Sequence, residues 1–121
     1  MANDTILVVD DSPTEQKVVV SALLSKGYRV ITAADGDDAI EKAIREQPRL
    51  IVLDVVMPKK NGYQVCRQLK TAPETQHIKV LMLTTKSQEA DKFWGLKQGA
   101  DGYLTKPFVN DDLLANVARL Y

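Results

Sequence analysis

Cysteine is almost missing from this sequence. Cys66 stands alone, which excludes a disulfide within one chain and a metal site built of thiolates alone, and a reducing, cytoplasmic setting is expected. Charge of one sign is not in excess either: 16 Lys and Arg balance 16 Asp and Glu, for a formal net charge of +0. Without a basic field, binding to nucleic acid or to an anionic membrane surface is not expected. Long apolar runs are lacking too. Nothing approaches the roughly 18 to 20 residues that cross a bilayer, and the start, MANDTILVVDD, has no basic then apolar leader, so neither export nor membrane insertion is expected. Repeats and low-complexity tracts are absent, and 121 residues at 45% hydrophobic suit a single domain over 1–121 with no attached effector domain.

Short apolar runs are present instead, at Ile6 to Val9, Val30 to Ala33, Leu50 to Leu53, Val80 to Leu83 and Gly102 to Leu104. Each is strand-sized and mostly bounded by Asp, Gly, Pro or Lys. Between them the apolar period becomes helical. Ser12 as N-cap, Pro13 at the first helical position and Glu15 closing a capping box predict a first helix with Val18, Val19, Ala22 and Leu23 as its buried stripe. A second helix, about Gly36 to Glu46, carries Ala39, Ile40, Ala43 and Ile44 on one face and stops before Pro48. Further helices are expected from about Gly62 to Lys70, from Ser87 to Gln98 before Gly99, and from Asn110 onward with Asp111 and Asp112 in the first turn. Alternation of strand and helix implies right-handed crossovers and a parallel sheet covered on both faces, which is why the strands read as unbroken apolar runs. The fold class expected is α/β, a doubly wound five-stranded parallel sheet with five helices.

Such folds gather their chemistry at the carboxyl ends of the strands, where this sequence places Asp10, Asp11, Asp54, Thr84 and Lys106. Asp54 in LIVLDVVMPKKNG ends an apolar run with a charge, which is costly to bury without a partner. Three carboxylates converging from neighbouring strands repel one another. A hard divalent cation removes that repulsion, and oxygen donors without nearby His or Cys suit Mg²⁺ better than Zn²⁺. If Asp10 and Asp11 only capped the turn, they would repeat a task that Ser12 already fills. Lys106 in YLTKPF could reach the acidic cluster and pair with phosphoryl oxygens, or be a solvated surface lysine. Pro107 makes the preceding bond a candidate for cis geometry, with trans as the default. The Thr84 hydroxyl could donate to an oxyanion between Asp54 and Lys106, although a β-branched residue at a strand end needs no such role.

The ordered set Asp10, Asp11, Asp54, Pro58, Gly62, Thr84, Lys106 and Pro107 resembles the CheY-like response-regulator receiver domain over essentially the whole chain. The resemblance implies a flavodoxin-like strand order 2-1-3-4-5 and a signalling protein, not an enzyme, that assists its own phosphotransfer and dephosphorylation. It implies that Asp54 accepts a phosphoryl group from a histidine kinase. Mg²⁺ would be held directly by Asp11, Asp54 and the Val56 carbonyl, with Asp10 acting through water. Thr84 and Lys106 would engage the phosphoryl oxygens, while Tyr103 moves inward behind Thr84. An output protein, not identified by the sequence, would then meet the face made by the fourth helix, fifth strand and fifth helix of a monomer or weak dimer. The stretches DSPTE and TTKSQEADKFWGLKQGADGYLTKP are similar to single-domain regulators of type IV pilus twitching motility and phototaxis. Val56 and Lys86, two residues after Asp54 and Thr84, depart from common receiver choices and bear on phosphoryl lifetime.

Three other readings compete. An aspartyl-nucleophile phosphatase usually carries a second Asp two positions on, where this chain has Val56. A flavodoxin-like cofactor binder needs a phosphate cradle, and DDSPTE is acidic with no Walker A loop present. A receiver-like interaction module that is never phosphorylated would not need the complete site set. Of Phe93 and Trp94 in the fourth helix, at least one is expected in the core, and Trp94 is a candidate partner anchor. His77, without a second ligand nearby, reads as a surface residue, and Cys66 as packing.

Overall fold

A computed structural model describes residues 4–121. Five strands alternate with five helices: β1 Thr5–Val9, α1 Pro13–Ser25, β2 Arg29–Ala33, α2 Gly36–Glu46, β3 Leu50–Leu53, α3 Gly62–Thr71, β4 Lys79–Thr84, α4 Glu89–Lys97, β5 Gly102–Thr105 and α5 Asn110–Leu120. All pairings are parallel, in the order β2-β1-β3-β4-β5, as expected. The apolar runs are continuous because β1 and β3 are buried along their whole length. Successive residues alternate between faces. Leu7, Val9, Ile51, Leu53, Val80 and Met82 pack with Ala39 and Ala43 of α2 and Val65, Cys66 and Leu69 of α3. Ile6, Val8, Leu50, Val52, Leu81 and Leu83 face Val19, Ala22 and Leu23 of α1 and Leu113 and Val117 of α5. Each fully buried Leu, Ile or Val contributes about 1.5–3 kcal/mol relative to exposure, so the sheet is fixed from both sides.

Helix ends follow local chemistry with some corrections. Ser12 caps α1 by accepting the Glu15 N–H at 3.3 Å, with Pro13 in the first turn. The reciprocal half of the expected capping box is not made. The Ser12 N–H donates to the Asp10 carboxylate at 2.9 Å instead, and this leaves the Glu15 side chain available elsewhere. Val18 is 52% exposed and does not belong to the buried stripe, which runs through Val19, Ala22 and Leu23 at three- and four-residue spacing. Ile44 likewise flanks the α2 stripe and is exposed, while Ala39 and Ala43 are buried. Helix α2 ends with Gln47 in the left-handed region at φ 49, just before Pro48. Helix α4 starts two residues later than expected, with Gln88 at its N-cap, and the chain leaves it through Gly99 at φ 102. Phe93 and Trp94 are both exposed, at 62% and 53%, so neither is the core residue expected. The buried residue of α4 is Gly95, and the helix packs through its backbone. No helix among the described residues is long and apolar enough to cross a membrane.

Candidate functional site

The register places the polar ends of the strands side by side. Val9 of β1 pairs with Leu53 of β3, so the next residues, Asp10 and Asp54, lie next to each other as the chains leave the sheet. Backbone bonds extend the ladder one step, from Asp10 N–H to the Ala33 carbonyl at 3.1 Å and from Asp54 N–H to the Val9 carbonyl at 3.0 Å. Asp10 and Asp54 are buried, Asp11 is exposed, and one carboxylate oxygen from each lies within 4.8 Å of the others. The three acidic residues picked out by sequence therefore do converge.

Each buried carboxylate has one oxygen on a backbone donor and the other toward a lysine. Asp10 Oδ1 accepts the Ser12 N–H at 2.9 Å and Asp54 Oδ1 accepts the Val56 N–H at 3.2 Å. Lys106 Nζ lies 3.0 Å from Asp10 Oδ2 and 3.9 Å from Asp54 Oδ2. Its side chain is 10% exposed, so it is not a solvated surface lysine. The Lys106–Pro107 bond is cis, contrary to the default expected from sequence; for an X–Pro bond only about 0.5–1 kcal/mol separates the two forms. Burial raises the pKa of the Asp54 carboxyl, Lys106 opposes that rise, and Asp10 adds to it. For Lys106, burial alone would lower the pKa, but hydrogen bonds to Glu15 and Asp10 outweigh it and the ammonium titrates above its ordinary range.

Thr84, at the end of β4, is fully buried beside the cluster. Its hydroxyl accepts the Lys86 N–H at 3.3 Å, and its carbonyl accepts the Lys106 N–H at 2.8 Å. The Tyr103 hydroxyl donates to the Lys86 carbonyl at 2.7 Å. Burial, and after it the neighbouring Tyr63, raise the Tyr103 hydroxyl well above the usual phenol range. One peptide segment, Lys86, thus connects Thr84 to Tyr103, a link that sequence reading of Lys86 as a basic side chain does not reveal. The Val56 side chain is 51% exposed at the mouth.

Two supports were not legible as site residues. Glu15 Oε1 lies 2.6 Å from Lys106 Nζ, although its position suggests a helix cap. Gln16 donates its side-chain amide to the Asp10 and Ala33 carbonyls at 3.2 and 3.1 Å, fastening the end of β1 to β2. Gly62 is a third constraint, and its role follows from contact. Its N–H donates to the Val55 carbonyl at 2.9 Å, and an added Cβ would collide with the Asp54 carbonyl oxygen and sit 2.7 Å from Val55 Cα. His77 is exposed and takes no part. Cys66 is buried, with Sγ 3.5 Å from the Gln98 carbonyl, and burial pushes its thiol up to about 12, as packing requires.

Residues 6–118 match the model of the response regulator receiver domain. The chain is 46% identical over 112 residues to the protein PilH of Pseudomonas aeruginosa, covering 93% of each, while it spans about half the length of other curated relatives it matches. Its fold is similar to the chemotaxis protein CheY4 of Vibrio cholerae, at 36% identity and a TM-score of 0.91 over 100% of this chain and 99% of the other. It is also similar to the receiver domain of the sensor histidine kinase PA1611 of Pseudomonas aeruginosa, whose structure has a magnesium ion coordinated in the active-site cleft. That match has 32% identity and a TM-score of 0.89 over 98% of each chain. Strand order, acidic cluster and sequence likeness agree: the chain belongs to the response regulator receiver domain family of two-component signalling.

Proposed function

We propose that this chain is a phosphorylation switch in which Asp54 takes a phosphoryl group from the phosphohistidine of a partner kinase. The observation that carries this reading is the convergence of Asp10, Asp11 and Asp54 within 4.8 Å, with Lys106 as the cation facing two of them. The donor set fits Mg²⁺, since it offers hard carboxylate oxygens and the only His and Cys of the chain lie elsewhere. Asp11, Asp54 and the Val56 carbonyl would hold the ion, with Asp10 in support. When bound, it supplies positive charge to the phosphoryl oxygens during transfer.

The protein's own groups do the rest. An Asp54 carboxylate oxygen attacks phosphorus; the O–P bond forms as the N–P bond breaks, and the electron pair returns to the imidazole, which takes up a proton. Lys106, already 3.9 Å from Asp54, meets the new oxygens as a point charge, and the Thr84 hydroxyl turns from the Lys86 N–H to donate to them. Water later cleaves the acyl phosphate to the carboxylate and inorganic phosphate. The exposed Val56 side chain and Lys86 border that approach and set its rate. Because Lys86 also accepts from Tyr103, movement of Thr84 is passed to α4, β5 and α5. Helix α4 exposes Phe93, Trp94 and Leu96, with Trp94, beside Tyr63 and Arg67 of α3, as an anchor for the output protein. Likeness to PilH supports control of pilus-driven motility as the output.

The test is treatment with a small phosphodonor. A Mg²⁺-dependent adduct that is stable in acid and labile to base and hydroxylamine is expected, absent in Asp54→Ala. An equal adduct in that variant would refute the assignment. Lys106→Ala is expected to retain metal binding while losing the phosphorylation-dependent change in partner affinity.

A further inference from the structure

We infer that Glu15 is a positioning residue that holds Lys106 in the resting form and competes with the phosphoryl group for it. The inference rests on the proposed role of Asp54. Of the three carboxylates around Lys106 Nζ, the nearest is Glu15 at 2.6 Å, against 3.0 Å for Asp10 and 3.9 Å for Asp54. Glu15 is free to do this because its expected capping partner, the Ser12 N–H, is taken by Asp10. Its own N–H is held by Ser12 Oγ, so the backbone is fixed while the half-exposed carboxylate can turn. It borders a cavity of about 420 Å³ walled by Val18, Pro107 and Phe108, which gives it room to swing away.

A phosphoryl group on Asp54 adds roughly −1.5 to −2 charge and three acceptor oxygens. Lys106 has three donors, two of them committed to Asp10 and Glu15. The third donor is left for the phosphoryl group, and any further bond to it is taken from Asp10 or Glu15; a Glu15 carboxylate freed in this way then faces a new anion. Glu15 therefore biases the equilibrium toward the resting form without touching the phosphoryl group.

The experiment measures the affinity of the intact chain for beryllofluoride, a phosphoryl mimic that adds to a carboxylate, at saturating Mg²⁺. Four proteins are compared: wild type, Glu15→Gln, Lys106→Ala and the double variant. Glu15→Gln is expected to bind roughly threefold to fivefold tighter, the scale of one partly exposed ion pair, and this gain should vanish in the Lys106→Ala background. Equal affinity of wild type and Glu15→Gln overturns the inference. So does the same gain with Lys106 removed, since it would mark a general charge effect. If wild type binds no beryllofluoride, the phosphoacceptor role of Asp54 falls first, and this inference with it.

Discussion

Helices α3 and α4 cover the same face of the sheet but are attached in different ways. Helix α3 buries Gly62, Val65, Cys66 and Leu69 along its inner face. Helix α4 buries Gly95 and exposes Phe93, Trp94 and Leu96. A Cβ on Gly62 meets backbone, whereas one on Gly95 meets the Met82 Sδ at 2.9 Å and the Tyr103 ring at 3.0 Å. Rigid support thus lies on the Asp54 side, and deformable support under α4. A helix seated on side chains can shift with Tyr103 at little cost, because few buried apolar contacts have to break.

Alanine substitutions test this contrast. Gly62→Ala should cost more than about 3 kcal/mol, since neither the Asp54 carbonyl nor Val55 Cα can yield without moving the acceptor loop. Gly95→Ala should stay within about 1 kcal/mol, because Met82 and Tyr103 can rotate and Ala favours the helix over Gly by about 1 kcal/mol. Urea denaturation measures both, and equal losses would remove the distinction between the helices. Leu69→Ala, in the core under α3, should cost about 2–5 kcal/mol. Leu96→Ala, 46% exposed on α4, should stay within about 0.5 kcal/mol.

A smaller effect concerns the charge that α3 helps to frame. Burial holds the Asp54 carboxyl above its ordinary range, so the folded protein binds that proton more tightly than the unfolded chain does. The destabilisation due to ionised Asp54 is absent below the unfolded pKa, grows as pH rises toward the folded pKa, and is complete above it. Asp54→Asn should therefore raise the Tm of the metal-free protein at neutral pH. The difference should disappear as pH falls toward about 3.9, the ordinary Asp value. Thermal melts in a chelator across that range would show a pH-independent difference if packing, and not charge, were responsible.

The parallel alternation of strand and helix and the acidic cluster were legible because Asp10, Asp54, Thr84 and Lys106 interrupt or follow apolar runs at the same end of the strands, whereas the strand order followed only from the family resemblance. What was hidden depended on tertiary competition for a single donor. Glu15 satisfies the local spacing of a capping box, but Asp10 takes the Ser12 N–H and Lys106 takes the Glu15 carboxylate. The seating of α4 was hidden for another reason. In EADKFWGLK the apolar residues Phe93, Trp94 and Leu96 are spread around the helix and mark no single inner face, and the contact that fixes it is made by Gly95, which has no side chain to signal burial. Val18 and Ile44 sit at the edges of true stripes, where helical spacing alone leaves the choice of side open.

The most direct measurement is peptide-resolved mass spectrometry of the chain after reaction with a small phosphodonor, with and without Mg²⁺. One phosphoryl group, on the peptide containing Asp54 and only with Mg²⁺, is the expected result. A phosphoryl group on another residue, such as His77, or one added equally without the metal, would contradict it.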